Sequence, residues 1–315
     1  VGKKKDKDKK RRKGRSVPEP VAAAEPTPSA AGNGPSFDGD LSALLRVRPG
    51  TSLASVDADS TPGFASGDKE AGRAALAAMD EELSDLQERL YAQGRAGGNR
   101  RLLLVLQGMD TSGKGGVMRG VVDLMDPQGV VITAFKAPTE QEQQHDFLWR
   151  IERALPGPGL VGVFDRSHYE DVLIGRARRL ADEVELDRRH QSINGFEQDL
   201  VDSGCVLVKC ILHISKDEQK QRLLDRLADP TKHWKYNPGD VDERALWEDY
   251  QRAYDLVLER NSTPAAPFHV VPANAKWYRN WAITRILLEH LRAMDLRWPE
   301  ADFNVHAEMA RVQAS

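Results

Sequence analysis

Residues 107–116 read QGMDTSGKGG, and their glycines, lysine and aspartate suit the handling of phosphate. Glycine lets backbone N–H groups come close to phosphate oxygens, and a lysine adds a point charge beside them. Gly108, Gly113 and Lys114 have the spacing of a phosphate-binding loop, in which the residue after the lysine is ordinarily a Ser or Thr whose hydroxyl holds Mg²⁺. Here that residue is Gly115. Thr111, Ser112 and Gly116 complete the candidate phosphate contacts of the loop. The missing hydroxyl points to carboxylates. Asp110 lies inside the loop, and Asp165 ends an apolar run in VFDRSHYED (163–171). Carboxylates bind hard cations better than a hydroxyl does, so the two together are candidate ligands for Mg²⁺, with Mn²⁺ as the alternative ion. The alternative roles are a helix cap for Asp165 and a turn-shaping residue for Asp110. Arg166 can clamp phosphate oxygens bidentately, or serve a surface ion pair. Tyr169 and Glu170 follow as nucleotide-contact candidates.

A second basic set lies in HISKDEQKQRLLDRLADPTKHWKYNPGD (213–240). Arg222 and Arg226 are four apart, on one helix face, and Lys232 and Lys235 bracket Trp234. A basic, aromatic, turn-rich segment between two helices reads as a lid, at about 216–245, that closes over phosphates and excludes water. Trp234 or Tyr236 is placed to stack on a base, or to pack at a hinge. In FKAPTEQEQQHDFLWR (135–150), Lys136 and His145 are further nucleotide candidates, while Phe147 and Trp149 read as core. In ANAKWYRN (273–280), Lys276 and Arg279 are phosphate candidates, Asn274 a helix cap and Trp277 core.

The loop needs a strand leading in and a helix leading out, whose N-terminus adds partial positive charge. RLLLVL (101–106) is the strand, and 116–126 reads as the helix. Strands follow at 130–135, 160–164, 205–214 and 268–273; helices at 140–154, 187–203, 216–228, 243–261 and 276–294, with another before the first strand at 68–91. This alternation predicts an α/β fold, a parallel sheet covered by helices on both faces. The expected organisation is a tail over 1–40, a helical extension over 41–100, a phosphotransferase domain over 101–300 and a C-terminal tail over 301–315.

The chain has 315 residues, 40% of them hydrophobic, and a net charge of −3. That small value hides an uneven distribution. Residues 1–15 hold ten Lys/Arg and two Asp, leaving 35 basic and 46 acidic residues for the remainder. An acidic body that handles phosphate must gather positive charge locally, and the basic start is either a solvated end or a polyanion-binding arm. Residues 16–36, rich in Ala, Pro, Ser and Gly, read as disordered. Two cysteines, Cys205 and Cys210, exclude a disulfide framework and suit a reducing cytoplasm. No run is long and apolar enough for a membrane span, and no signal peptide is visible.

With these residues in view, the chain resembles the second polyphosphate kinase family, the polyphosphate:nucleotide phosphotransferases. The resemblance rests on LQERLYAQGR (86–95), LLLVLQGMDTSGKGG (102–116), FKAPTEQEQQHDFLWRIERALP (135–156), FDRSHYEDVLIGR (164–176), HISKDEQKQRLLDRLADPTKHWKYNP (213–238) and KWYRN (276–280). It implies a thymidylate-kinase-like P-loop fold and Mg²⁺-dependent transfer between inorganic polyphosphate and AMP, ADP or their guanine counterparts. It also implies a homo-oligomer. The family's loop Asp and Lys fall on Asp110 and Lys114, and its second Asp–Arg pair on Asp165 and Arg166. Many relatives have Asp where this chain has Gly115, and tryptophans near Ala265 and Phe268, a difference that bears on AMP or ADP preference. Two other readings share the loop chemistry: an ATP-dependent kinase on the same fold, and a polyanion-binding protein with a degenerate site.

Overall fold

Five apolar segments form the strands of one parallel sheet in the computed structural model, which describes residues 39–65 and 68–315. They are β1 (Arg101–Gln107), β2 (Val130–Ala134), β3 (Val161–Asp165), β4 (Cys205–His213) and β5 (Phe268–Pro272), in the spatial order β2-β3-β1-β4-β5. From β1 the chain builds first to one side and then to the other. The reversal opens a crevice at the C-terminal end of β1, where open α/β sheets bind ligands. Residues 102–106 are fully buried, because a central parallel strand is covered on both faces.

The helices are α1 (Leu41–Leu45), α2 (Lys69–Ala77), α3 (Asp80–Arg95), α4 (Lys114–Gly120), α5 (Trp149–Glu152), α6 (Glu170–Ala177), α7 (Glu183–Asp202), α8 (Lys216–Ala228), α9 (Gly239–Ala245), α10 (Trp247–Asn261), α11 (Lys276–Ala293) and α12 (Val305–Ala314). Helix α8 has the predicted ends: Ser215 caps it through the Glu218 N–H at 3.1 Å. Helix α11 is the main buried helix. Its Trp277 and Trp281 each pack edge-on against Phe64, with centroids 5.0 Å apart, and its Tyr278 hydroxyl donates to the Pro62 carbonyl at 2.7 Å.

Several expectations need correction. The helix expected over 68–91 is two, α2 and α3, broken at Ala78–Met79, and that over 243–261 breaks at Leu246. The helix after the loop begins at Lys114, two residues early, and ends at Gly120, with a 3₁₀ turn beyond. Over 140–154 there is one 3₁₀ turn and the single α-turn of α5, so Phe147 and Trp149 are only half-buried. Asn274 does not cap α11; its Oδ1 accepts from the Ser215 N–H at 3.0 Å and so ties the ends of β4 and β5 together. Helices α6 and α12 had not been expected, and α12 lies in the stretch read as a tail. The basic run and the Pro/Ala-rich stretch lie outside the described residues. Among the described residues, no helix is long and apolar enough to cross a membrane.

Candidate active site

The phosphate loop is held in shape by backbone conformation and by two buried arginines. Gly113, the residue before α4, has φ +110°, which a side chain would resist. Lys114 turns back over the loop, its Nζ donating to the Gly108 carbonyl at 2.8 Å. Arg222 was a phosphate candidate, but its guanidinium is committed elsewhere. It donates to Thr111 and Ser112 carbonyls at 2.8 and 3.1 Å, to those of Ala273 and Asn274 at 2.7 and 2.9 Å, and to Glu218 at 2.6 Å. A buried arginine must satisfy its donors, and here it does so by joining the loop to the end of β5. Arg279 is buried against Gly113 and Gly116, where an added Cβ would collide with its guanidinium. Burial, then the neighbouring Arg222 and Arg119, lower its pKa to about 10, so it remains a cation beneath the loop at neutral pH.

Sheet register brings the second motif to the first. Asp165 pairs with Leu106, and the Arg166 N–H donates to the Leu106 carbonyl at 3.0 Å. Arg166 has φ +66°, unusual for a residue with a side chain. From there its guanidinium donates to Asp110 Oδ1 at 2.6 Å and to Glu170 Oε2 at 3.1 Å. Burial lowers the pKa of Lys114, as does the nearby Arg166, against the opposing pull of Asp110, Asp165 and Glu170. Burial raises that of Glu170, against the opposing pull of Arg166 and Lys114. Two cations and three carboxylates thus converge at one end of the loop.

That cluster opens on a cavity of 610 Å³, within the range of nucleotide-sized sites. Gly108, Asp110, Lys136, Arg166 and Glu170 line it. Other predicted residues lie elsewhere. Tyr169 is fully buried and turned from the cavity, its hydroxyl donating to Glu197 at 2.5 Å. His145 is exposed and stacks on Trp149. Trp234 is 79% exposed, with Lys235 Nζ 4.8 Å from its ring centre. Lys232 pairs with Asp229 at 2.7 Å, Arg226 donates to the Lys235 carbonyl at 3.1 Å, and Lys276 is exposed on the first turn of α11. Sequence reasoning missed Arg150, Asp171, Arg178, Arg189 and Asp240 on the cavity wall. The run RARR (176–179) was the visible signal; the others carry no local motif.

Asp110 and Asp165 remain the candidate donors for a metal. Both are partly exposed, and both act electrostatically on Lys114. Among the described residues no group of three or more His, Cys, Asp or Glu could hold a metal ion. Two carboxylates fit Mg²⁺, which keeps waters and takes its remaining oxygens from phosphate, better than a metal that needs a full protein cage.

Residues 66–299 match the family polyphosphate kinase 2 (PPK2). The AMP/ADP-polyphosphate phosphotransferase of Meiothermus ruber is 44% identical over 250 residues, 79% of this chain and 92% of that protein. The ADP-polyphosphate phosphotransferase of Rhodopseudomonas palustris is 40% identical over 232 residues, 70% of this chain and 79% of that protein. The crystal structure of polyphosphate kinase 2 from Arthrobacter aurescens TC1 superposes with a TM-score of 0.86 at 56% identity, covering 89% of this chain and 98% of that one. With the phosphate loop, the Asp165–Arg166 pair and the sheet order all in place, the chain belongs to the polyphosphate kinase 2 family.

Proposed function

We propose that this enzyme transfers a phosphoryl group reversibly between inorganic polyphosphate and a nucleoside mono- or diphosphate, AMP to ADP and ADP to ATP, with guanine nucleotides as further acceptors. The observation that carries this reading is the pairing of Asp110 and Arg166 on the wall of a nucleotide-sized cavity, with the buried Lys114 close enough to feel the charge of both. The names of the relatives support the donor and acceptor classes.

Phosphoryl transfer is catalysed mainly by alignment and charge neutralisation. The loop amides and Lys114 would bind the oxygens of the transferred group, and Arg166 would reach it from the β3 side. Asp110 and Asp165 would hold Mg²⁺, or Mn²⁺, which when bound neutralises phosphate charge. Arg222 and Arg279 would act from beneath, one fixing the loop and the other adding positive charge. Glu170 shares Arg166 with Asp110, so it keeps the guanidinium oriented when the aspartate turns to a cation. Lys232 and Lys276, both exposed, and the half-buried Lys235 remain candidates for a longer polyphosphate track around the lid and α11.

The two buried free thiols accord with a cytoplasmic setting. Self-association is proposed on the free edge of the sheet, where β2 exposes Val131 and Ile132, the latter 53% exposed. The basic run of residues 1–15 is proposed as an auxiliary polyanion-binding arm. The test of the reaction is a product-resolved assay with polyphosphate and AMP, ADP, GMP or GDP in turn, with the divalent ion removed by chelation and restored. Acceptor-dependent shortening of polyphosphate that returns with Mg²⁺ is expected. Conversion that persists without any divalent ion would contradict the role given to the two aspartates.

A further inference from the structure

His168 and Tyr169 face away from the cavity, into a buried polar cluster built from β4, α7 and α10. Lys209, on β4, is fully buried. Its Nζ donates to the Tyr169 hydroxyl at 2.9 Å, to Glu197 Oε2 at 2.6 Å and to the Asn261 carbonyl at 2.7 Å, and lies 4.4 Å from the Phe268 ring centre. The Tyr169 hydroxyl donates to Glu197 Oε1 at 2.5 Å, and His168 Nε2 lies 3.1 Å from the same oxygen. None of these side chains lines the cavity.

A buried ion pair is costly to desolvate, and apolar residues of similar size often serve stability as well or better. What this pair holds is informative. His168 and Tyr169 follow Arg166 by two and three residues, and Arg166 has a φ of +66°. Such a conformation persists where its surroundings over-determine it. The other flank is tied as well. The Gln107 amide, oriented to satisfy its neighbours, donates to Glu170 Oε1 at 2.9 Å and accepts from the Ser167 N–H and hydroxyl. Residues 167–170 are therefore gripped from β1 on one side and from β4 and α7 on the other, and Arg166 is left pointing at Asp110.

We infer that Lys209 and Glu197 are positioning residues for phosphoryl transfer, acting through Tyr169 and His168 to fix the direction in which Arg166 enters the cavity. The inference rests on the reading that Arg166 meets the transferred group. A displacement of about 1 Å in such a group can cost on the order of 100-fold in rate.

The test is a kinetic cycle with Mg²⁺, polyphosphate and AMP. Lys209→Met and Glu197→Leu are introduced together, so that no lone charge stays buried, in the wild-type and the Arg166→Lys backgrounds. In the wild-type background kcat should fall about 10- to 100-fold while the KM for AMP stays within about threefold. In the Arg166→Lys background the same pair should cost less than about threefold, because the group it positions is already gone. Equal losses in both backgrounds, or an unchanged kcat, overturn the inference. Should the double variant fail to fold, Tyr169→Phe removes one hydroxyl from the cluster and keeps its ring. That variant should lower kcat by about threefold in the wild-type background alone, and equal effects in both backgrounds again overturn the inference. A wild-type chain that transfers nothing from polyphosphate removes the proposed reaction itself, whereas an active wild type with additive losses removes only the positioning role.

Discussion

Asp110 and Asp165 are proposed to take the place of the hydroxyl that most phosphate loops put next to their lysine, and that proposal is testable one atom at a time. Asp110→Asn and Asp165→Asn keep side-chain size and remove the charge that holds a hard cation. Each should lower turnover by about 10³-fold or more and leave the melting temperature nearly unchanged; a variant with near-normal rates would release that residue from the metal. The glycines differ just as sharply. A Cβ on Gly115 meets nothing within 4 Å, so Gly115→Ala should keep the fold and add roughly 0.5–1 kcal/mol of stability, read from denaturant midpoints. Gly113→Ala should destabilise instead, because φ there is +110° and Arg279 fills the space. The two aspartates were legible from spacing to the loop and to the end of a strand. Arg222 and Tyr169 were not, because sequence gives a side chain's type and leaves its direction open. Arg222 finds its carbonyls more than fifty residues away, on the loop and beyond β5, and only the folded chain brings them together.

At the scale of elements, the strands were easy to read because strands buried on both faces appear as unbroken apolar runs. The helices around the site were harder. Helix α6 starts at Glu170 without a side-chain cap, and α3 starts after Met79, a residue that gives no stop or start signal. The short helix α1 docks through His269 on β5, whose Nδ1 lies 3.2 Å from the Lys209 carbonyl and whose Nε2 lies 2.9 Å from the Ser42 hydroxyl. A carbonyl can only accept, so the proton sits on Nδ1 and Nε2 accepts from Ser42. Burial drives the pKa of this imidazole from 6.5 to about 3. A depressed folded-state pKa means the unfolded chain binds the proton first as pH falls. Stability from this group is therefore complete above pH 6.5 and is lost toward pH 3, with a slope of about 1.4 kcal/mol per pH unit. Denaturant unfolding of the wild type and of His269→Gln between pH 7 and 4.5 should show a steeper fall in the wild type, by about that slope, because His190 and His213, whose pKa values burial also lowers, contribute to both curves. Parallel curves would remove His269 as the cause.

For the whole molecule, the proposed division is between catalysis in the cavity and polyanion recruitment by the basic run of residues 1–15. The cavity collects its own cations, Lys136, Arg150, Arg166, Arg178 and Arg189, within an otherwise acidic body. Removal of residues 1–36 should accordingly leave kcat with short polyphosphate within about twofold, and alter at most the KM for long chains, with the change shrinking at high salt. A loss of most turnover with short chains would mean that the basic arm belongs to the catalytic unit. The central claim is the identity of the donor, which the P-loop fold alone leaves open because ATP-dependent kinases are built the same way. The direct measurement is the initial rate of ADP formation from AMP and Mg²⁺ with long-chain polyphosphate as sole donor, set beside the rate with a non-adenine nucleoside triphosphate as sole donor. Rapid ADP formation from polyphosphate and little from the triphosphate is the predicted result; the reverse order would contradict the account.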